Sequence, residues 1–176
     1  EPGTKVKLTV IHVHSRKRET LTVERKIIEV ETVLGDKRAD DDQWNFMLDD
    51  EKKIGYIRLT SFSRATASDL EGALKSLKKQ GMKGLVLDLR FNPGGLLPAA
   101  VEMCDMLLDH GTVVSTRGRN NRLIHEFDAD SELSLDPSIP MVVMINDHSA
   151  SASEIMAGCL QDSGRAKIAG ERSYGK

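Results

Sequence analysis

From residue 54 the sequence alternates between short apolar segments and longer amphipathic ones, and few folds are compatible with this alternation. Strand-like apolar runs occur at 54–60, 85–90, 141–145 and 166–169. Helix-like stretches separate them, and the first carries apolar side chains at Leu70, Leu74 and Leu77. Strands joined through helices predict an α/β fold with a mainly parallel sheet.

Local signals predict where some of these elements begin and end. Ser68 and Glu71 have the spacing of a capping box, so the first helix is expected to begin at Ser68. Residues 113–116 are expected to form a further strand, and the polar stretch 117–138 is expected to be an irregular loop.

The sequence before residue 54 has a different character. Residues 5–12 and 19–30 alternate apolar and polar side chains around a polar turn, which predicts a β-hairpin. A lone hairpin is only marginally stable in water, so these strands are expected to belong to a larger module. The charged stretch GDKRADDDQ at 35–43 predicts a linker. The predicted division of the chain is therefore 1–32, 33–53 and 54–176.

Charge, cysteine and histidine positions argue against several classes of function. A net charge of −2 offers no electrostatic basis for binding nucleic acid. Cys104 and Cys159 stand in apolar helical patterns, which favours buried thiols over a disulfide, and their spacing matches neither a redox nor a zinc site. The five histidines form no metal-ligand motif, so no metal or cofactor is predicted.

Unusual loops follow the strands at 92–95, 147–153 and 170–176. Right-handed crossovers make parallel strands run in one direction, so these loops are expected along one edge of the sheet, where such folds bind ligands. The first loop contains Gly94 and Gly95, which allow positive φ and a close approach of substrate. An ordinary tight turn is the alternative interpretation of this glycine pair.

Ser151 opens the helix predicted at 151–163. With Glu154 it has the spacing of a capping box, so one interpretation is only a well-capped helix. The other is a nucleophile, because exposed N–H groups at a helix N-terminus stabilise nearby negative charge. The glycines of a G-x-S-x-G elbow are absent around this serine, so the α/β-hydrolase signature is not present.

A serine nucleophile needs a base, and several side chains are candidates. His148 lies in the turn just before Ser151, and His110 and His125 are alternatives. Lys176 has the better geometry, because about 11 residues after the helix can span up to about 36 Å, more than the roughly 20 Å length of the helix. A lysine base must be uncharged, which requires an apolar and shielded site.

Two segments together strongly resemble the C-terminal processing peptidases, or tail-specific proteases, of peptidase family S41. They are GLVLDLRFNPGGLLPAAVEM and VVMINDHSASASEIMAGCLQDSGRAKIAGERSYGK, and the similarity covers most of 54–176. Residues 1–30 resemble the last strands of the PDZ domain that precedes the catalytic core in this family. The resemblance implies a ClpP/crotonase-like α/β core with mainly parallel strands, preceded by a partial PDZ β-hairpin.

Carried over to this sequence, the resemblance makes Ser151 the nucleophile and Lys176 its general base. The backbone N–H groups of Gly95 and Ala152 would form the oxyanion hole, and no metal or cofactor is implied. Ser149 and Ser153 would be structural neighbours, and Glu154 would cap the helix. The implied activity is that of a serine endopeptidase that cleaves proteins near their C-termini through an acyl-enzyme intermediate.

The resemblance also implies partners and a compartment. Protein or peptide substrates would be recognised through their C-terminal tails, outside the cytoplasm: in the bacterial periplasm or cell envelope, or in the thylakoid lumen. A membrane-associated setting is expected for the full-length protein. In the family the chain continues past the lysine and the PDZ domain begins earlier, so this chain of 176 residues is expected to be inactive or weakly active. The alternative function is a binding protein on the same fold that holds peptides or apolar ligands without turnover.

Overall fold

A computed structural model describes residues 1–28, 30–129 and 134–176, and the chain forms two compact units, Glu1–Val30 and Glu31–Lys176. In the first unit, strands β1 (Lys5–Ile11) and β2 (Arg18–Glu24) pair antiparallel. The predicted hairpin is therefore present, but its second strand ends at Glu24 and does not continue to residue 30.

The second unit contains the alternating strands and helices. Its strands are β3 (Val33–Leu34), β4 (Lys37–Arg38), β5 (Trp44–Asn45), β6 (Met47–Asp49), β7 (Ile54–Leu59), β8 (Gly84–Asp88), β9 (Gly111–Arg117), β10 (Leu123–Ala129), β11 (Met141–Ile145) and β12 (Lys167–Gly170). Its helices are α1 (Thr66–Lys79), α2 (Leu97–Asp105) and α3 (Ala152–Asp162), with a 3-10 turn at Arg119–Asn121. None of the helices in the described ranges is both long and apolar enough to cross a bilayer.

The central sheet has the strand order β12–β11–β8–β7–β3, and β6 also pairs with β7. Strands β7, β8, β11 and β12 run parallel to one another, whereas β3 and β6 run antiparallel to β7. In this register Val86 lies between Tyr56 and Val142. The predicted α/β class and mainly parallel sheet are confirmed. Because each right-handed crossover moves one strand further in the same direction, α1, α2 and α3 cover one face of the sheet.

The core lies between this face and the helices. Leu70, Leu74 and Leu77 of α1 are completely buried, as their helical spacing predicted. A side chain at Gly55 of β7 would collide with Leu77, so the helix packs directly on the strand there. Cys104 is buried between α2 and α3, where its hydrogen bond with the buried Cys159 and its desolvation raise the pKa of its thiol. Both cysteines are free, as predicted.

The predicted start of the first helix is wrong. Helix α1 begins at Thr66, because the buried hydroxyl of Thr66 accepts a hydrogen bond from the Ser63 N–H (2.8 Å) and forms another with the Thr32 hydroxyl (2.7 Å). Ser68 lies within the first turn and donates its own hydroxyl to the Ala65 carbonyl (2.8 Å). Ser68 and Glu71 therefore have the spacing of a capping box but do not cap the helix.

Two predicted loops also contain strands. Residues 123–129 form β10, which pairs antiparallel with β9 in a hairpin separate from the central sheet. Its register shifts twice and most of its side chains are exposed, so no regular apolar alternation marks it. Residues 130–133 of the predicted 117–138 loop lie outside the described residues. In the predicted linker, β4 pairs with β5, and the Arg38 guanidinium lies 4.4 Å from the Trp44 ring centre.

Candidate active site

The loops that follow β8, β11 and β12 meet at one edge of the sheet, as their topology predicted. The Ala150 N–H donates to the Asn92 carbonyl (3.0 Å), which joins the first loop to the second. The Tyr174 N–H donates to the Ser149 carbonyl (3.0 Å), which joins the second loop to the third. The site is therefore built from three chain segments that the parallel sheet brings together.

Asn92 anchors the glycine-containing loop. It is completely buried, its amide Nδ2 donates to the Leu59 carbonyl (2.9 Å), and its Oδ1 accepts the Gly94 N–H (2.9 Å). Its backbone carbonyl accepts hydrogen bonds from both the Ala150 N–H (3.0 Å) and the Ser153 hydroxyl (2.9 Å). One buried residue thus ties the loop to β7 and to the start of α3.

The two glycines are required by close backbone contacts. Gly94 and Gly95 have φ values of 98° and 153°. A Cβ at Gly94 would lie 2.8 Å from both the Ser151 Cβ and the Ala152 nitrogen, and one at Gly95 would overlap the Phe62 carbonyl. Side chains cannot be accommodated at either position without moving the backbone. The glycine pair therefore does more than form a tight turn: it lets this loop pack directly on Ser151.

Two backbone N–H groups at this contact have no protein acceptor. Within residues 1–28, 30–129 and 134–176, neither the Gly95 N–H nor the Ala152 N–H donates a hydrogen bond. Ala152 is the first residue of α3, where N–H groups lack partners within the helix. Such paired and unused donors are the chemical requirement for binding a carbonyl oxygen that becomes negatively charged.

Ser151 has an unusual backbone, with φ 56° and ψ −118°, and it is the N-cap of α3. Positive φ is unfavourable for a residue with a side chain, and such strain concentrates at functional sites. Ser149 and Ser153, in contrast, are completely buried and donate their hydroxyls to the carbonyls of Leu89 (2.8 Å) and Asn92 (2.9 Å). Those two serines have structural roles, as expected, whereas Ser151 is half-buried.

Glu154 connects the C-terminal segment to the N-terminus of α3. Its Oε2 accepts the N–H groups of Ser151 (2.8 Å) and Lys176 (3.1 Å). Its Oε1 accepts the Ser173 hydroxyl (2.8 Å) and the Gly175 N–H (2.6 Å). Burial opposes ionisation of this carboxyl, but the four hydrogen bonds outweigh it and lower its pKa. Glu154 completes the predicted capping box and, in addition, holds the chain end beside it.

Lys176 therefore returns to the edge of the sheet where Ser151 lies. The backbone N–H groups of Ser151 and Lys176 both donate to Glu154 Oε2, at 2.8 and 3.1 Å. The two backbone nitrogens are therefore no further apart than the sum of these two distances. The Lys176 side chain is exposed. Of the alternative bases, His148 is hydrogen-bonded through Nδ1 to the Asp147 carboxylate (2.7 Å), His110 is likewise bonded to Asp109 (2.7 Å), and His125 lies on β10.

Comparison with known proteins assigns the chain to a family. The model of peptidase family S41 matches residues 53–176. The chain belongs to peptidase family S41. It is 42% identical over 178 residues to the carboxy-terminal-processing protease of Bartonella bacilliformis, and the aligned region covers 99% of this chain and 38% of that protein. It is 37% identical over 177 residues to the carboxyl-terminal-processing protease of Synechocystis, again covering 99% of this chain and 38% of the relative.

The fold is shared with a solved member of this group. The structure of a photosystem II D1 C-terminal processing protease superimposes with a TM-score of 0.68 at 33% identity, over 100% of this chain and 46% of the other. This S41 chain thus spans less than half the length of each of these three relatives.

A polar cluster that was not predicted from the sequence lies just before the glycine-containing loop. At the end of β8, Asp88 is completely buried and accepts hydrogen bonds from the Arg90 guanidinium (2.7–3.2 Å) and the Tyr56 hydroxyl (2.7 Å). Burial opposes ionisation of Asp88, but these donors outweigh it and lower its pKa. Burial and the Asp88 carboxylate together raise the pKa of Tyr56 to about 12. An aspartate in the otherwise apolar run LVLDLR, with an arginine two residues later, was the available signal.

Metal ligands are not grouped in this part of the S41 fold. Among the residues that the structure describes, no three histidine, cysteine, aspartate or glutamate side chains lie close enough together to hold a metal ion.

Proposed function

We propose that this chain is the catalytic part of a serine endopeptidase that cleaves proteins near their C-termini, with Ser151 as nucleophile and Lys176 as general base. The observation that carries the proposal is the packing of the Gly94–Gly95 loop on the Ser151–Ala152 turn, which leaves two N–H donors unused beside a strained serine. Membership of peptidase family S41 supports the same reaction class.

The first step is acylation. The Lys176 amine accepts the proton of the Ser151 hydroxyl as Oγ attacks the scissile carbonyl carbon, and the carbonyl oxygen becomes an oxyanion. The N–H groups of Gly95 and Ala152 donate hydrogen bonds to this oxyanion. Loss of one such donor typically costs about 10²–10³ in rate, so the pair accounts for much of the stabilisation of the transition state.

Collapse of the tetrahedral intermediate breaks the C–N bond, and Lys176 returns its proton to the departing amine. A water molecule then attacks the acyl-enzyme ester, Lys176 accepts a proton from it, and the second collapse releases the carboxylate product and restores Ser151. The mechanism requires Lys176 to be uncharged. The Lys176 side chain is exposed in this structure. Bound substrate must therefore exclude water from the amine so that it loses its proton.

We assign residues 1–32 to the C-terminal part of a PDZ domain, 33–53 to a connecting segment and 54–176 to a core of the ClpP/crotonase type. The separate compact hairpin of Glu1–Val30 supports the first boundary. The names of the relatives, which are carboxy-terminal-processing proteases of two bacteria, support C-terminal tails of proteins as substrates. We further propose that the full-length protein acts outside the cytoplasm, at a membrane.

Covalent labelling of Ser151 tests the proposal. A fluorophosphonate probe should add one adduct to the complete protein, located on Ser151 by peptide mass spectrometry and absent in Ser151→Ala. Lys176→Met should slow labelling about 100-fold or more, because general-base catalysis contributes roughly 10²–10⁴. Lys167→Met, which alters an exposed lysine on β12, is the matched control and should label at the normal rate. Absence of labelling at every pH would instead favour a binding protein without turnover.

A further inference from the structure

Phe91 combines two unfavourable features at the edge of the candidate active site. Its backbone has φ 62°, which is uncommon for a residue with a bulky side chain. Its side chain is 59% exposed, so the ring contributes little to the hydrophobic core. A strained backbone that presents an apolar ring to solvent has no evident benefit for stability. Such an outlier is grounds for a hypothesis of function.

A buried amide holds Phe91 in this conformation. The Phe91 N–H donates to Asn146 Oδ1 (2.9 Å), and the same oxygen accepts the His148 N–H (3.3 Å). Asn146 is itself only 8% exposed. The rings of Phe91 and His148 are in contact, with centroids 5.5 Å apart and planes inclined by 44°. The His148 Nδ1 bonds to the Asp147 carboxylate (2.7 Å), which restricts the second ring. One buried amide oxygen therefore anchors the backbone of both residues and brings their rings into contact.

This ring pair borders the Ser151 turn. Phe91 directly precedes Asn92, whose carbonyl accepts the Ala150 N–H (3.0 Å), and His148 stands three residues before Ser151 in the facing loop. Other exposed apolar side chains stand close in sequence to the proposed site residues. Leu96 follows Gly95 and is 45% exposed, and Tyr174 is two residues before Lys176 and is 69% exposed.

We propose that Phe91 and His148 form the wall of a substrate subsite that selects a large apolar side chain next to the scissile bond. The proposal rests on the endopeptidase activity proposed above. An apolar side chain of the peptide would cover the exposed Phe91 ring, and an aromatic one would add ring–ring contact. The two backbone N–H bonds to Asn146 hold both residues side by side before substrate binds, which reduces the entropy lost on binding.

Substitution of Phe91 by asparagine tests the subsite without a risk to folding, because asparagine tolerates left-handed backbone better than phenylalanine does. In the complete protein, kcat/KM is measured for peptide pairs that differ only in phenylalanine or alanine at one position, varied in turn on each side of the scissile bond. The unsubstituted protein should prefer phenylalanine at one position by about tenfold or more. Phe91→Asn should remove most of that preference and leave the alanine peptide within about twofold of its original value.

Two further variants sharpen the result. Phe91→Trp retains a large ring and should keep the preference. Leu123→Ala removes an exposed apolar side chain from β10 and should change nothing. An equal fall for both peptides in Phe91→Asn would mean that Phe91 positions the loop, and would overturn the subsite. The subsite would also be overturned if Ser151 of the unsubstituted protein reacted with a fluorophosphonate but cleavage showed no side-chain preference. If Ser151 did not react at all, the proposed function would fail, and the subsite with it.

Discussion

The two sides of Ser151 are held in different ways. On the first side, the 92–95 loop is fixed by buried contacts, with Asn92 completely buried and Gly95 paired with Phe62 in a parallel bridge. On the second side, the 171–176 segment is mostly exposed. One backbone hydrogen bond attaches that segment to the end of β11 and a second attaches it to the loop that follows, and its last residues depend on the carboxylate of Glu154.

This difference separates two functions that a serine peptidase needs. The proposed oxyanion donors are part of the folded core, so they should remain in place under any conditions in which the sheet is intact. The proposed base stands at the end of a segment whose position depends on one ionisable side chain, and such segments open locally at low free-energy cost. We call the 92–95 loop the donor side and the 171–176 segment the base side. We therefore expect the donor side to tolerate acid and solvent exposure better than the base side.

The largest expected effect comes from breaking the donor side with Gly94→Ala. The added methyl group would lie 2.7–2.8 Å from backbone and Cβ atoms of Ala150, Ser151 and Ala152, so the loop and the Ser151 turn must separate. Labelling of Ser151 by a fluorophosphonate should slow by about 10²–10³, the cost of losing an oxyanion donor.

Gly72→Ala is the matched control for this substitution. Gly72 lies within α1, where a Cβ would meet no atom within 4 Å, so alanine should raise the free energy of unfolding by about 0.5–1 kcal/mol and leave labelling unchanged. If Gly94→Ala labelled as fast as Gly72→Ala, the donor side would not be as rigid as the packing indicates.

The second prediction concerns the attachment of the donor side to β8. Asp88→Asn removes the buried charge that pairs with Arg90, whose side chain is 41% exposed. Because Arg90 is partly exposed, water can hydrogen-bond to its guanidinium once the carboxylate is gone, which limits the loss. The free energy of unfolding should therefore fall by about 1–3 kcal/mol, as for hydrogen bonds to charged groups. Urea unfolding measures the change.

Asp42→Asn supplies the comparison for Asp88→Asn. Asp42 pairs with Arg38 at 3.2 Å, but its side chain is 85% exposed, so little change in stability is expected. Equal effects of the two substitutions would show that burial of Asp88 does not stabilise the loop that follows it.

Patterns that depend on neighbouring residues predicted much of this molecule. The spacing of Leu70, Leu74 and Leu77 predicted the buried face of α1, and the direction of parallel strands predicted that Gly95, Ser151 and Lys176 would lie on loops at one edge. Both are local or topological properties, so they can be obtained from one sequence without coordinates.

Contacts between distant residues were not predicted. The Asn92 amide reaches the Leu59 carbonyl 33 positions earlier, and the Glu154 carboxylate reaches the Lys176 N–H 22 positions later. No periodicity in the sequence indicates such hydrogen bonds, because each depends on how the folded strands, helices and loops pack against one another. Strand β10 was missed for another reason: its apolar side chains at Leu123, Ile124 and Phe127 do not alternate regularly with polar ones, so the period of two that marks a strand is absent.

The third prediction breaks the base side with Glu154→Gln. Glutamine keeps one acceptor oxygen but replaces the other with an amide that can only donate, so two of the four hydrogen bonds are lost. Amide hydrogen exchange at Gly175 and Lys176 should become roughly fivefold faster, which corresponds to about 1 kcal/mol at a partly exposed site. Exchange at Gly94 should not change. Glu171→Gln, an exposed position in the same segment, should leave all these rates unaltered.

The smallest expected effect is that of pH on the same contact. The folded-state pKa of Glu154 is lowered, so its hydrogen bonds to the chain end are fully formed above the ordinary glutamate pKa of about 4.3 and are lost as the pH falls through the lower folded value. The amide resonances of Gly175 and Lys176 should therefore be constant between about pH 5 and 7 and shift together below about 4.3. In Glu154→Gln this shift should disappear. A midpoint above the ordinary value would contradict the geometry, because a carboxylate that accepts four hydrogen bonds must be harder to protonate than one in water.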